Sequence, residues 1–243
     1  MPVCKMPVGV YRYETHVHTM EASRCGMTPA SLMVKHYAKL GFSGVFITDH
    51  FVTGYSRGNI SADWKTRIDI LCSGYYAAKE AGSHYGMEVF FAWEYPYKGG
   101  DFLTIGLNED FLYRHPELNM FEKYGDFAGY ANLIHQHGGF IIQAHPFRSA
   151  PYIKQGRAHV QESLVDALEV YNGSHWDPSF DKQAEDRAFK LKMPMLAGSD
   201  AHDISMAATA YMTFNHKIHH ADDFIRFVKA GEYSLVCESR DNI

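Results

Sequence analysis

Short apolar runs ending in polar residues recur along this chain, separated by stretches whose apolar positions repeat every three or four residues. Val10 to Val17 alternates and predicts a first strand ending at Thr-His-Val-His-Thr. Thr28-Pro29 then offers an N-cap and a proline at the first helical position. Leu32, Met33, His36, Tyr37 and Leu40 mark a helical stripe closed by Gly41. Gly44 to Thr48 reads as a short buried strand running into Asp49-His50. Ser61 or Asp63 caps a long helix to about Ser83, carrying Trp64, Ile68, Leu71 and Tyr75. Glu88 to Trp93 predicts a strand ending at Glu94, and Phe102 to Leu107 predicts another. A helix over Phe127 to His137 stops at Gly138-Gly139, and the strand Phe140 to Ala144 ends at His145-Pro146. Ala167 to Tyr171 is a strand ending at Asn172-Gly173, Pro178 to Leu191 is helical, and Met195 to Ala197 leads into Gly198-Ser199-Asp200.

The polar residues at these boundaries decide the architecture. His16, His18, His50, Glu94, His145, Asp200 and His202 all lie at or just past the C-terminal end of a predicted strand. Alternating strands and helices imply parallel strands, and barrels of that kind gather their sites at the strand C-terminal ends. The expected fold is therefore an α/β barrel, one domain over residues 1–243, with its ligands on one rim.

Composition narrows the picture. An apolar fraction of 46% supplies a sizeable core for 243 residues, and a net charge of -5 without a basic run argues against nucleic acid as a partner. No run approaches a membrane span, and Met-Pro-Val-Cys-Lys at the start lacks an apolar export core, so a cytoplasmic location is expected. Cys4, Cys25, Cys72 and Cys237 are dispersed, as reduced thiols would be. Histidine is the outlier, with 15 copies.

Not every histidine suits a metal. His16-x-His18 and Asp200-x-His202 follow strand-like runs, where i and i+2 share a side. His135-x-His137 falls on a helix, where such residues diverge by about 200° and cannot grip one ion. That pair reads as a polar helix end, with His137 favoured by the C-terminal dipole. His36 reads as packing, and His216, His219 and His220 as solvated surface near a turn. Glu94 and Asp200 follow apolar runs, where a carboxylate needs a partner or a metal. Asp49 fits a hydrogen-bond acceptor that orients a ligand histidine.

His16-Val-His18-Thr19, Thr48-Asp49-His50, Glu94, Ala144-His145-Pro146 and Gly198-Ser199-Asp200-Ala201-His202 together resemble, in order, the motifs of the PHP (polymerase and histidinol phosphatase) family. The resemblance runs from about residue 12 to residue 215. It implies a distorted (β/α)7 TIM-like barrel, two or three divalent ions (Zn, Fe or Mn) and hydrolysis of a phosphoester. By that resemblance His16, His18, Glu94 and Asp200 hold one ion, Glu94 bridges to a second bound also by His145, and His50 and His202 hold a third. Members commonly add an Asp or His to the third ion shortly after the first motif. Here Glu21 is taken as the substitute, with Cys25 the alternative. The second ion usually gains one more ligand, for which Asp101 and His115 are the candidates.

Mixed imidazole and carboxylate donors suit Zn, Fe or Mn, and closely spaced ions supply a bridging hydroxide and a clamp for phosphoryl oxygens. Arg148 is placed to grip phosphate, with Arg24 a secondary candidate, whereas Arg57 reads as an exposed loop residue. His175 is the candidate acid for the leaving oxygen. The expected function is hydrolysis of a small-molecule phosphate monoester, histidinol phosphate or a nucleotide being the specific options the family suggests. The rivals are an amidohydrolase-type barrel cleaving C–N bonds and a non-catalytic metal-binding module.

Overall fold

Strands and helices alternate along the chain and wind into a sheet that all but closes on itself. The computed structural model describes residues 9–52, 55–149 and 162–238, so Cys4 lies outside the described residues. Strands β1 (Tyr11–Val17), β2 (Gly44–Ile47) and β3 (Glu88–Tyr97) are parallel, as are β5 (Phe140–Ala144), β6 (Ala167–Asn172) and β7 (Met195–Gly198). Between the two sets, β4 (Gly100–Ile105) runs antiparallel to both neighbours. Strands β8 (Ala210–Phe214) and β9 (Ser234–Cys237) extend the sheet antiparallel beyond β1. Closure comes from Ala201, just past β7. It bridges in parallel to Val17, donates its amide to the His16 carbonyl and accepts from the His18 amide. β1 to β7 thus form a distorted, TIM-like barrel.

Period-2 geometry divides the core and also builds the site. Tyr13, Phe46, Phe90, Leu103, Phe140, Ala167, Leu196 and Met212, one from each of β1 to β8, meet in a single buried cluster, the barrel interior. Along β3, Phe90 and Ala92 join that cluster, while Phe91, Trp93 and Tyr95 join the outer one. The next inward position is Glu94. On β6 the same step leads from Ala167 to Glu169.

Helices α1 (Ala30–Lys39), α2 (Trp64–Tyr85) and α5 (Phe127–Gln136) cover the outside through Met33, Val34 and Tyr37, Ile68 and Leu71, and Tyr130 and Ile134. Short helices α3 (Glu109–Arg114) and α4 (Leu118–Tyr124) precede α5, and α6 (Ser179–Leu191) covers β6. Helix α7 (Ala221–Ala230) puts Phe224, Phe227 and Val228 into the interior cluster, with Phe224 against Phe46 at 4.7 Å.

Several sequence expectations shift. β3 continues past Glu94 to Tyr97 and turns at Lys98-Gly99, both at positive φ, into β4, which therefore begins at Gly100 and is antiparallel rather than parallel. Leu32 on α1 and Leu40 just past its end are exposed, and the buried side of the helix is Ala30, Met33, Val34 and Tyr37. Thr28 bonds Asp203 instead of capping α1, so Pro29 occupies the cap position. β8, α7 and β9 fill a region where the sequence predicted only a turn. Asp63, in contrast, caps α2 by accepting from the Thr66 amide.

Candidate metal centre

At the rim, the inward rows of the barrel change from apolar to ligating. His16 and His18 are fully buried at the end of β1, their Nε2 atoms 3.2 Å apart. Glu94 places Oε1 3.5 Å from His16 Nε2 and Oε2 3.4 Å from His18 Nε2, and Asp200 Oδ1 lies 3.4 and 3.3 Å from the same two nitrogens. His145 Nε2 is 3.2 Å from Glu94 Oε1, and His50 Nδ1 is 2.8 Å from Glu94 Oε2. Three groups have ligand atoms close enough to hold an ion: His16 with His18 and Asp200; His16 with Glu94 and His145; and His18 with Cys25, His50 and His202.

The backbone that presents these groups is strained. His145 and Asp200 have φ of 29° and 52°, a region side chains avoid at a cost of about 1–3 kcal/mol each. Both follow the last residue of their strand directly or within two positions, where the chain must turn to aim a side chain at the rim. Gly198 lets β7 approach. A Cβ there would lie 2.7 Å from His16 Cβ and 2.9 Å from Glu169 Oε1.

Buried carboxylates behind the ligands fix their orientation. Glu169, which sequence reasoning missed, accepts from His16 Nδ1 at 2.9 Å and, through its other oxygen, from the His145 amide and the Asn172 side chain. Glu14, also missed, accepts from the amides of Thr15, His16 and Ser199 and from the hydroxyls of Ser199 and Tyr37. It ties β1 to the Ser199-Asp200 turn. The available signal was a carboxylate inside an apolar strand, Ala-Leu-Glu-Val-Tyr and Tyr-Arg-Tyr-Glu-Thr. Asp49 grips the Thr19 amide and hydroxyl and the Ser23 hydroxyl, and reaches His18 only through Ser23, 3.4 Å from His18 Nδ1.

Charge inside this cluster is divided unevenly. Burial lowers the basicity of His16, but the carboxylates of Asp200 and Glu169 outweigh it and hold its proton well above the ordinary range. His18 is driven well below that range by burial and by neighbouring His50 and His202. Burial also lowers His145, to about 4, with Arg148 adding to the effect. Burial pushes the carboxyl groups of Glu94 and Asp200 toward the protonated form, yet His50, His145 and His16 around Glu94, and His16 and Arg148 beside Asp200, prevail and hold both well below the ordinary carboxylate range. Asp101 rises to about 7 through burial and the nearby charge of Glu94. Burial raises the Cys25 thiol, but contacts with His202 and His50 bring it down to about 7.

The donor set fits divalent cations. Glu94 Oε2 is buried without a hydrogen bond although His50 Nδ1 is near, and the Nε2 atoms of His16 and His18 face a common point, where a cation would take the place of the proton that His16 otherwise holds. A cation there satisfies all of them. His202 donates Nδ1–H to the Asp200 carbonyl at 2.9 Å, which leaves Nε2 free to ligate. Beside the donors is a cavity of about 300 Å³ walled by His50, Glu94, Asp101, His145, Asp200 and His202, with Cys25, Tyr55 and Arg148.

The structure places four of the candidate residues, Glu21, His115, His175 and Arg24, away from the donors or the cavity wall. Glu21 does not reach the donors: its carboxylate accepts from the Ala30 amide at 3.0 and 3.1 Å and caps α1, the orphan donor that Pro29 cannot satisfy. Cys25 stands in the third group instead. His115 sits at the C-terminus of α3, bonded to Glu117 at 2.7 Å and packed on Phe111 and His137, away from the cavity wall. Asp101 is brought to the wall because β4 is antiparallel, so its start shares the rim with the ends of its neighbours. His175 is buried and bonded to Asp181 at 2.6 Å, and it does not line the cavity. Arg148 does line it, with NH2 donating to Asn172, Ser174 and Asp200. Arg24 is exposed next to Cys25 and outside the wall, and Arg57 is exposed and bonded to the Gly26 carbonyl.

Fold and site define an α/β barrel with a buried cluster of histidines and carboxylates on its rim that could hold metal ions. Comparison with known families matches residues 178–233 to the PHP-associated family model. Among solved structures, the chain is similar to a two-domain protein of Bacteroides vulgatus containing a predicted PHP-like metal-dependent phosphoesterase, at 13% identity and a TM-score of 0.64. That match covers 94% of this chain and 65% of the other, so the chain spans just under two thirds of the two-domain protein. It is also similar to PsfC from Pseudomonas syringae, at 15% identity and a TM-score of 0.64, covering 96% and 93%. An amidohydrolase from Chromobacterium violaceum shares the fold at 13% identity and a TM-score of 0.53, covering 95% and 99%. Comparison with functionally curated proteins finds no match. The family-model match is confined to the C-terminal part of the chain, and the solved structures share its fold.

Proposed function

We propose that the chain is a metal-dependent phosphoesterase that hydrolyses a small phosphate monoester at a centre of two or three divalent ions. The observation that carries this reading is the overlap of the donor groups. His16 and His18 each belong to two of them, so neighbouring ions would sit close together, with Arg148 beside them on the same cavity wall. The resemblance to the PHP motifs and the neighbour described as a PHP-like metal-dependent phosphoesterase point the same way.

His16, His18, His50, Glu94, His145, Asp200 and His202 would hold Zn, Fe or Mn, which would supply Lewis acidity toward a phosphoryl oxygen and toward water. The protein's own contribution is position and charge. Glu169 and the Asp200 carbonyl hold Nδ1 of His16 and His202, so the opposite nitrogens face the centre. Arg148 is held at the rim by Asn172, Ser174 and Asp200, and its guanidinium lines the cavity, where it would offer donors to phosphate oxygens. Asp101, near the start of β4 on the same cavity wall, is placed to serve as the acid for the leaving oxygen. The cavity size suits a small substrate, for which histidinol phosphate and nucleotides are the first esters to assay.

Chelation should reduce phosphate release to background, with recovery on adding back Zn, Mn or Fe. Asp200→Ala should abolish release while circular dichroism shows a folded chain. Release that survives either change overturns the reading, and turnover of a cyclic amide in place of phosphate esters transfers it to C–N hydrolysis.

A further inference from the structure

The third donor group differs in kind from the other two, because it contains sulfur. The ligand atoms of Cys25, His50, His202 and His18 all lie within 4.8 Å of one another. His18 is committed elsewhere: its Nε2 faces His16 and Asp200 at 3.2 and 3.3 Å, and its ring lies 4.4 Å from those of both His50 and His202. That leaves Cys25, His50 and His202, which share the cavity wall and leave one side open to it. We propose that Cys25 is a thiolate ligand completing a Cys-His-His site with His50 and His202, built for a thiophilic divalent ion of the zinc class rather than Mg²⁺ or Mn²⁺.

The position of the sulfur is fixed by the chain on both sides. The Arg24 amide donates to the Tyr55 carbonyl and the Met27 amide to the His202 carbonyl, each at 2.7 Å, and Ser23 bridges to Ser56. Between them, a Cβ on Gly26 would lie 2.2 Å from the Thr19 carbonyl oxygen, so the tight turn that presents Cys25 requires glycine. His202 is fixed as well, its Nδ1–H donated to the Asp200 carbonyl. Three protein ligands with one open position is the pattern of catalytic zinc sites. Thiolate favours soft ions, whereas Mg²⁺ and Mn²⁺ favour all-oxygen surroundings. Binding breaks the Cys25 S–H bond and forms a metal–sulfur bond; the proton leaves to solvent and no electron is transferred. The proposal rests on the metal centre of the proposed function and not on its phosphoester chemistry.

Cobalt titration of metal-free protein tests it. Co²⁺ should produce a thiolate-to-cobalt charge-transfer band in the near ultraviolet that saturates with bound metal. Cys25→Ser should lose the band while metal analysis still finds cobalt at the remaining donors, and Cys72→Ser and Cys237→Ser should keep it. Absence of the band in cobalt-loaded wild type, or its persistence in Cys25→Ser, overturns the proposal. If Cys25→Ser does not fold, wild type settles the matter: Zn²⁺ should slow alkylation of Cys25 at least tenfold, and an unchanged rate overturns it. Phosphate release enters neither readout. A band without turnover on any ester therefore counts against the phosphoesterase reading alone, and turnover without the band counts against the thiolate alone.

Discussion

The chain contains the triplet histidine-x-histidine twice, and the two copies end in opposite surroundings. His16-Val-His18 closes a strand, and the two rings point the same way, with Nε2 atoms 3.2 Å apart, fully buried among carboxylates. His135-Gln-His137 closes helix α5, and the two rings part. His135 Nε2 bonds Asp166 at 2.9 Å, while His137 Nδ1 bonds the Leu133 carbonyl one turn back at 3.0 Å. Neither of the second pair belongs to a metal-binding group among the described residues. Backbone period makes the difference: i and i+2 share a side on a strand and diverge by about 200° on a helix. A motif of two residues therefore means nothing until the element beneath it is known.

The strand pair depends on close approach by its neighbours, and removing that closeness should have the largest effect. Gly198→Ala puts a methyl group 2.7 Å from His16 Cβ and 2.8 Å from Thr15 Oγ1, between β1 and β7. Overpacking of this kind costs about 1–3 kcal/mol, and here the strain falls on a ligand. Chemical denaturation should show that loss, and metal titration should show weaker binding in the protein that remains folded. Unchanged stability and affinity would mean that the sheet closes without needing a bare backbone at Gly198.

Support from behind should matter next. Glu169→Gln keeps the shape of the side chain but removes the charge that holds His16 Nδ1–H. Loss of such a partner typically lowers metal affinity 10–100-fold, about 1.4–2.7 kcal/mol. Competition against a chromophoric chelator measures it, and an affinity within twofold of wild type would show that His16 needs no carboxylate behind it. The helix pair offers no counterpart to this experiment, because Asp166 also accepts from the Ile141 amide and so serves the strand start as much as His135.

How much of this was legible follows from the same contrast. The convergence of candidate ligands at strand ends could be read because a period of two carries an apolar inward row, such as Phe90 and Ala92, onto a polar rim residue, Glu94. The supporting carboxylates were not read, because Glu14 and Glu169 interrupt the apolar rows from within, and partners such as Ser199 are distant in sequence. The direction of β4 was misread from strand–helix alternation, although Lys98-Gly99-Gly100 is a hairpin signal. Glu21 and Cys25 both lie in one short loop, and residue type favoured the carboxylate. What decided between them was proline: Pro29 begins α1 without a side-chain cap, so Glu21 turns to the Ala30 amide and Cys25 faces His202 and His50. Such choices are set by which backbone donor is left over, and that is a property of the folded chain.

The helix pair should show the smallest effect, and it sharpens the comparison most. His135→Ala removes a partly exposed bond to Asp166, whose carboxylate keeps the Ile141 amide as a donor. His137→Ala removes an exposed bond to a last-turn carbonyl that water can replace. Each loss should cost about 0.5–1 kcal/mol at most, as is usual for exposed or half-exposed polar contacts. Metal content should be that of wild type in the double variant, because neither ring approaches the donor groups. If instead the double variant lost metal, the ions would be held at the helix end, and identical triplets would have been assigned to the wrong element. Equal metal content with a small fall in stability would leave period alone as the reason that one copy ligates and the other does not.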